Sequence, residues 1–216
     1  MTYKAVIFDL DGTLVNSLED IADSMNLVLK TLDMKVHNLE DYKYFIGNGI
    51  RNLVSRALPE QSREETFITE CFDLMMKEYR ERCLEKTRPY EGIPELLDEL
   101  TRRKLKLCVL SNKVDELTQK VVSALLANWK FEVVLGPRED IPRKPDPTGA
   151  FYISKQLNIP QAEIVYLGDS GVDMQTAATA KMYAVGALWG YRRREELSQN
   201  GAQSLINHPL EFLELL

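Results

Sequence analysis

Five short runs, "KAVIFDL", "LKLCVLS", "FEVVLG", "EIVYLGD" and "MYAVGAL", constrain the fold of this chain most tightly. Each is apolar almost throughout and too short for a helix, with Val, Ile, Leu and aromatic residues dominating. Continuous rather than alternating apolarity suits strands covered on both faces. Amphipathic segments separate the later runs. "GIPELLDELTRRK" puts Ile93, Leu96, Leu97 and Leu100 on one face, and "VDELTQKVVSALLAN" and "PTGAFYISKQLN" fill the next two gaps. This strand–helix alternation predicts an α/β fold, a doubly wound (Rossmann-like) parallel sheet.

One stretch breaks the alternation. Residues 16–88 contain no good strand, and Ile21, Met25, Val28, Leu29 and Leu32 recur there at helical spacing, as do Phe67, Cys71, Met75 and Tyr79. "YFIGNGIRNLV" reads as a loop between the two helical patterns. The expected organisation is a sheet core over residues 1–15 and 89–216 with an inserted α-helical domain over 16–88. Pro89, Gly92 and Pro94 punctuate the return to the core.

The charge balance narrows the partners. A formal net charge of −6 over 216 residues repels nucleic acid and anionic membranes, so neither is expected to bind. No long uncharged apolar stretch suggests a membrane span, and the N-terminus is too soon interrupted by Asp9 for a signal peptide. Cys71, Cys83 and Cys108 lack pairing or metal-type spacing and read as reduced, mostly buried thiols of a cytoplasmic protein.

Ligands of open α/β sheets bind beyond the carboxyl ends of the strands. Strand one ends on Asp9 and Asp11, strand two on Ser111 and Asn112, and "EIVYLGD" on Asp169, with Asp173 one helical turn later. "RKPDP" places Lys144 in a loop stiffened by Pro142, Pro145 and Pro147. In an extended strand residues i and i+2 point the same way, so Asp9 and Asp11 would face one small volume while Leu10 turns into the core. Close carboxylates call for a cation or a shared proton. With Asp169 as a third, the hard oxygen donors favour Mg²⁺. Each residue also has a plainer reading. "DLDG" is then a strand end and a turn, Lys144 a solvated surface lysine, Ser111 a helix cap, and Asp173 a cap or a solvated residue rather than a partner of Lys144.

In this order, "DLDGT", "LSNK", "RKPDP" and "GDSGVD" resemble the four motifs of haloacid dehalogenase-superfamily phosphatases. The helical insert sits where that family's C1-type cap belongs. "FIGNGIRNLV" and "WGYRRREEL" most resemble the phosphoglycolate phosphatase group. The resemblance implies a Mg²⁺-dependent phosphomonoester hydrolase acting on a small phosphorylated metabolite such as 2-phosphoglycolate. It makes Asp9 the nucleophile that becomes an aspartyl phosphate, and Asp11 the acid to the leaving alcohol and then the base for water. It assigns the metal to the Asp9 side chain, the Asp11 backbone carbonyl and Asp169. It gives the phosphoryl group to Ser111, Lys144 and the Gly12–Thr13 turn. Asn112 and Lys113, next to Ser111 at the strand end, are further candidate substrate contacts. Asp173, Gly168 and Ser170 are supporting residues.

The cap is expected to exclude water and then reopen, hinging near Leu14–Ser17 and Arg88–Gly92. Gly47, Asn48, Gly49 and Arg51 are its candidates for reading the substrate, with a solvated Arg51 the plainer alternative. Two positions depart from the family's pattern. Asn16 stands where an aspartate is often found, and Lys181 where a small residue, often glycine, precedes Met182. The rival activities are an inorganic pyrophosphatase and a β-phosphoglucomutase-like mutase of the same fold. Outside that fold family the rival is a phospho-accepting signalling module, which lacks such an insert. The sequence is compatible with a monomer or a homodimer.

Overall fold

The computed structural model describes residues 3–216. The chain enters through β1 (Ala5–Phe8) and the two-residue β2 (Val15–Asn16). It then runs through α1 (Leu18–Thr31), α2 (Leu39–Phe45), α3 (Ile50–Ala57) and α4 (Glu65–Arg82). The remainder reads β3 (Arg88–Pro89), α5 (Ile93–Arg102), β4 (Lys106–Leu110), α6 (Asp115–Leu125), β5 (Phe131–Leu135), α7 (Thr148–Leu157), β6 (Ile164–Gly168), α8 (Gly171–Thr179), β7 (Tyr183–Ala187), α9 (Arg194–Gln199) and β8 (Ser204–Ile206). A 3₁₀ segment, Pro209–Leu215, follows. Two compact units result: the chain up to Asn16 with Pro89–Leu216, and Ser17–Arg88.

The first unit is built on a parallel sheet in the order β5-β4-β1-β6-β7-β8. β1 lies between β4 and β6, with Ile7 opposite both Cys108 and Tyr166. All four β1 residues have no exposed surface, because layers cover both faces of the strand. Ala5 and Ile7 cluster with Ala150 and Ile153 of α7 and Met174 and Ala177 of α8. Phe8, pointing the other way, meets Phe212 of the C-terminal segment with ring centroids 6.5 Å apart. The chain order reverses at β1, and such a switch point opens a crevice at the carboxyl ends of the strands. β8 was not foreseen. Its "SLI" is three residues long, below the length at which strand periodicity shows.

In the second unit α1 packs on α4, and α3 packs on α4 as well. Ile21, Met25, Val28 and Leu29 of α1 are buried, as are Cys71, Met75 and Tyr79 of α4. Burying each large apolar side chain contributes about 1.5–3 kcal/mol. The expected loop over "YFIGNGIRNLV" is shorter than its sequence suggested. α2 runs through Phe45 and α3 starts at Ile50, leaving only Ile46–Gly49 irregular. Gly47 and Gly49, at φ +114° and +83°, break the helix there, and apolar residues on either side resume it. The buried Asp20 accepts hydrogen bonds from the backbone N–H groups of Lys86 and Thr87 and from the Thr87 hydroxyl. It thereby ties the start of α1 to the chain leaving α4.

All three cysteines are buried, and among the described residues none forms a disulfide. Burial pushes the Cys108 thiol up to about 12. Among the described residues no helix is long and apolar enough to cross a membrane.

Candidate active site

The carboxyl ends of β1, β4 and β6 bring most of the expected residues together. Asp9 follows β1 directly, and its N–H continues the ladder to the Leu167 carbonyl. Leu10 is fully buried, as its alternation with Asp9 requires. A tight turn follows: Gly12 takes φ +91°, and the N–H groups of Leu14 and Val15 both return to the Leu10 carbonyl. A Cβ on Gly12 would come within 2.3 Å of the Asp169 carboxylate. Glycine therefore lets the turn approach the end of β6.

Lys144 is the centre of this cluster. Its side chain is 2% exposed, and its Nζ lies 2.8 Å from Asp9 Oδ1 and 2.7 Å from Asp173 Oδ1. Asn112 fixes the Lys144 backbone. Its amide NH₂ donates to the Lys144 carbonyl and its Oδ1 accepts from the Lys144 N–H. Both ends of the Asn112 amide, expected from the sequence at the phosphate, hold the lysine loop. Asp173 meets both of its sequence-level readings. It closes a capping box with Ser170 at the start of α8 and it pairs with Lys144. Gly168 is required here, because a Cβ would lie 2.4 Å from Asp173.

Oxygens of Asp9, Asp169 and Asp173 all lie within 4.8 Å of one another, and all three residues are buried. Burial first, then the charge of Asp173, hold the Asp9 pKa well above the ordinary carboxylate range, against the pull of Lys144. The same two causes push Asp169 up to about 7. Burial opposes the charge on Lys144, but Asp173 and Asp9 outweigh it and hold its pKa well above the usual lysine value. One ammonium thus faces three buried carboxylates, a donor set of hard oxygens whose excess negative charge a divalent cation offsets.

The structure does not place Asp11 in that cluster. The strand stops at Phe8, so the i, i+2 rule does not carry the Asp11 side chain alongside Asp9. Both Asp11 oxygens lie 2.7 Å from the Nζ of Lys113. Ser111 is not the cap of the following helix, a position held by Val114. Its hydroxyl accepts from the Lys113 N–H. Thr13 is fully buried and donates to Asp169 Oδ1 at 3.3 Å. In the helical unit Gly47, Asn48 and Gly49 lie in the short loop, and Arg51, on α3, pairs with Glu65 and donates to Thr69.

Three residues after β7 were missed. The Tyr191 N–H donates to Asp169 Oδ2 at 2.7 Å, and the Trp189 indole donates to the Thr13 carbonyl. Between them a Cβ on Gly190 would lie 2.3 Å from the Asp169 Cβ and 2.5 Å from the Gly12 carbonyl. "LWGY" follows the strand "MYAVGA" directly, and the rule that singled out the other strand ends marks this one too.

Known proteins give the site its context. A family model described as haloacid dehalogenase-like hydrolase matches residues 6–187. The phosphoglycolate phosphatase of Aquifex aeolicus is 31% identical over 213 residues, spanning 99% of this chain and 96% of that protein. The phosphoglycolate phosphatase of Colwellia psychrerythraea is 30% identical over 206 residues, with coverage of 93% and 91%. A solved structure from Lactobacillus delbrueckii subsp. bulgaricus superposes with a TM-score of 0.94 at 30% identity, over 100% of this chain and 98% of the other. On these grounds the chain belongs to the haloacid dehalogenase-like hydrolases.

Proposed function

We propose that this protein is a Mg²⁺-dependent phosphomonoester hydrolase that works through an aspartyl phosphate on Asp9, with 2-phosphoglycolate or a similarly small phosphate as substrate. The observation that carries the reading is Lys144 seated between Asp9 and Asp173 with Asp169 beside them. The phosphoglycolate phosphatases among its relatives support the substrate class.

Phosphoryl transfer is mostly positioning and charge neutralisation. An anionic Asp9 approaches a phosphate only if positive charge is already in place. Lys144 supplies part of it at the nucleophile, held by Asn112 from behind and Asp173 from the side. The oxygen donors present fit Mg²⁺: Asp9, Asp169 and the Asp11 carbonyl would hold it, with Asp173 supporting through its ion pair with Lys144. Bound there, the ion supplies charge neutralisation for the phosphoryl oxygens. The Asp9 oxygen attacks phosphorus, the P–O bond to the alcohol breaks, and the alcohol oxygen takes a proton from Asp11. Asp11 then removes a proton from the water that cleaves the acyl phosphate. Ser111 and the Gly12–Thr13 turn hold the phosphoryl oxygens. The helical unit serves as the cap, with Gly47, Asn48, Gly49 and Arg51 as its candidate substrate contacts.

Phosphate release from 2-phosphoglycolate tests the proposal. Turnover with Mg²⁺ that stops in EDTA and in Asp9→Asn is expected. Turnover that survives either change overturns the mechanism.

A further inference from the structure

Two buried lysines divide the site. Lys144 serves the nucleophile, Asp9, while Lys113 serves Asp11. The Lys113 side chain is only 2% exposed, and its ammonium lies 2.7 Å from each oxygen of an Asp11 side chain that is 12% exposed. Its backbone is fixed: the N–H donates to the Ser111 hydroxyl, and the carbonyl accepts from the Thr118 hydroxyl. A Cβ on Gly136 would lie 2.5 Å from that carbonyl, so the chain packs closely behind it. A buried ion pair is weak as a source of stability, because desolvation consumes the Coulomb gain. Keeping a second ammonium at this sheet edge therefore points to a role toward ligand.

The proposed role of Asp11 gives that ammonium its direction. Asp11 exchanges a proton with the leaving oxygen, so whatever lies against Asp11 lies on the leaving-group side of phosphorus. We propose that Lys113 is the specificity residue for the leaving alcohol. On binding, the ammonium gives up one Asp11 oxygen and takes an anionic substituent one or two carbons from the ester oxygen. The favoured class is then small phosphomonoesters bearing a carboxylate close to the ester. Selection begins on the sheet-bearing unit, before any residue of the helical unit contributes. The inference rests on the reading of Asp11 as proton donor to the leaving group.

The test compares kcat/KM for 2-phosphoglycolate with that for its neutral carboxamide analogue in Mg²⁺. Wild type should prefer the carboxylate by about 10- to 100-fold, the range of a hydrogen bond between charged groups. In Lys113→Gln that preference should collapse toward unity, and Lys113→Arg should restore part of it. Loss of Asp11 restraint alone lowers both substrates by one factor and leaves the ratio intact. A Lys113→Gln ratio unchanged within about threefold therefore overturns the proposal. Wild type that favours the carboxamide overturns it without any variant, should Lys113→Gln not fold. Wild type that hydrolyses neither ester overturns the phosphatase reading itself.

Discussion

The ammonium of Lys144 stands 2.8 Å from Oδ1 of Asp9, and both side chains are sealed from solvent except for about a tenth of the aspartate. The nucleophile proposed here is thus paired with its neutralising charge before substrate arrives.

Replacing that lysine separates chemistry from folding. Lys144→Met leaves Asp9 and Asp173 buried without their shared cation, and metal-free stability should fall by about 3–5 kcal/mol. Mg²⁺ should recover part of the loss, while turnover stays down by about 10²–10³-fold. Thermal unfolding with and without Mg²⁺, beside phosphate release, reads both effects. Turnover within about tenfold of wild type removes Lys144 from the mechanism.

The pH dependence of stability follows from Asp169. Burial, then Asp173, lift its pKa from 3.8 to about 7, so the fold holds a proton that the unfolded chain releases. The stability carried by that proton is complete below the unfolded value and is lost as pH rises toward about 7. On the proposed reading, Mg²⁺ would bind the ionised carboxylate and oppose the loss. Between pH 5 and 8 the melting-temperature gain from Mg²⁺ should therefore grow by about 3–6 °C. A gain that shrinks with pH contradicts the placement of the metal at Asp169.

Gly190 is the third point of pressure. A methyl there meets the Asp169 Cβ and the Gly12 carbonyl, neither of which can retreat easily. Gly190→Ala should weaken apparent Mg²⁺ affinity by about 10- to 100-fold, as displaced support of a metal ligand does. A magnesium titration of the initial rate measures this, and an unchanged half-saturation point rejects it.

These effects divide into those the sequence announced and those it concealed. Five strands and their helices were legible because fully buried strands leave continuous apolar runs. Strand ends then marked Asp9, Asp11, Ser111, Asn112 and Asp169 as candidates, and "RKPDP" marked Lys144. The separate pairing of Asp11 with Lys113 was hidden, because strand periodicity ends at Phe8 and a glycine turn sets the rest. The pair of hydrogen bonds between Asn112 and Lys144 was hidden too, since it joins loops 32 residues apart. Lys181 adopts φ +57°, a left-handed conformation that glycine enters more easily and that no apolar pattern announces. Tyr191 contributes its backbone N–H to Asp169, a contact that no side-chain pattern encodes.

The central claim is that phosphorus passes through Asp9. Rapid acid quenching of the Mg²⁺-bound enzyme during turnover of a radiolabelled phosphomonoester tests it most directly. The expected result is label on the protein that hydroxylamine releases, that maps to the peptide containing Asp9, and that is absent from Asp9→Asn. Steady turnover with no protein-bound label, or the same label in Asp9→Asn, would contradict it.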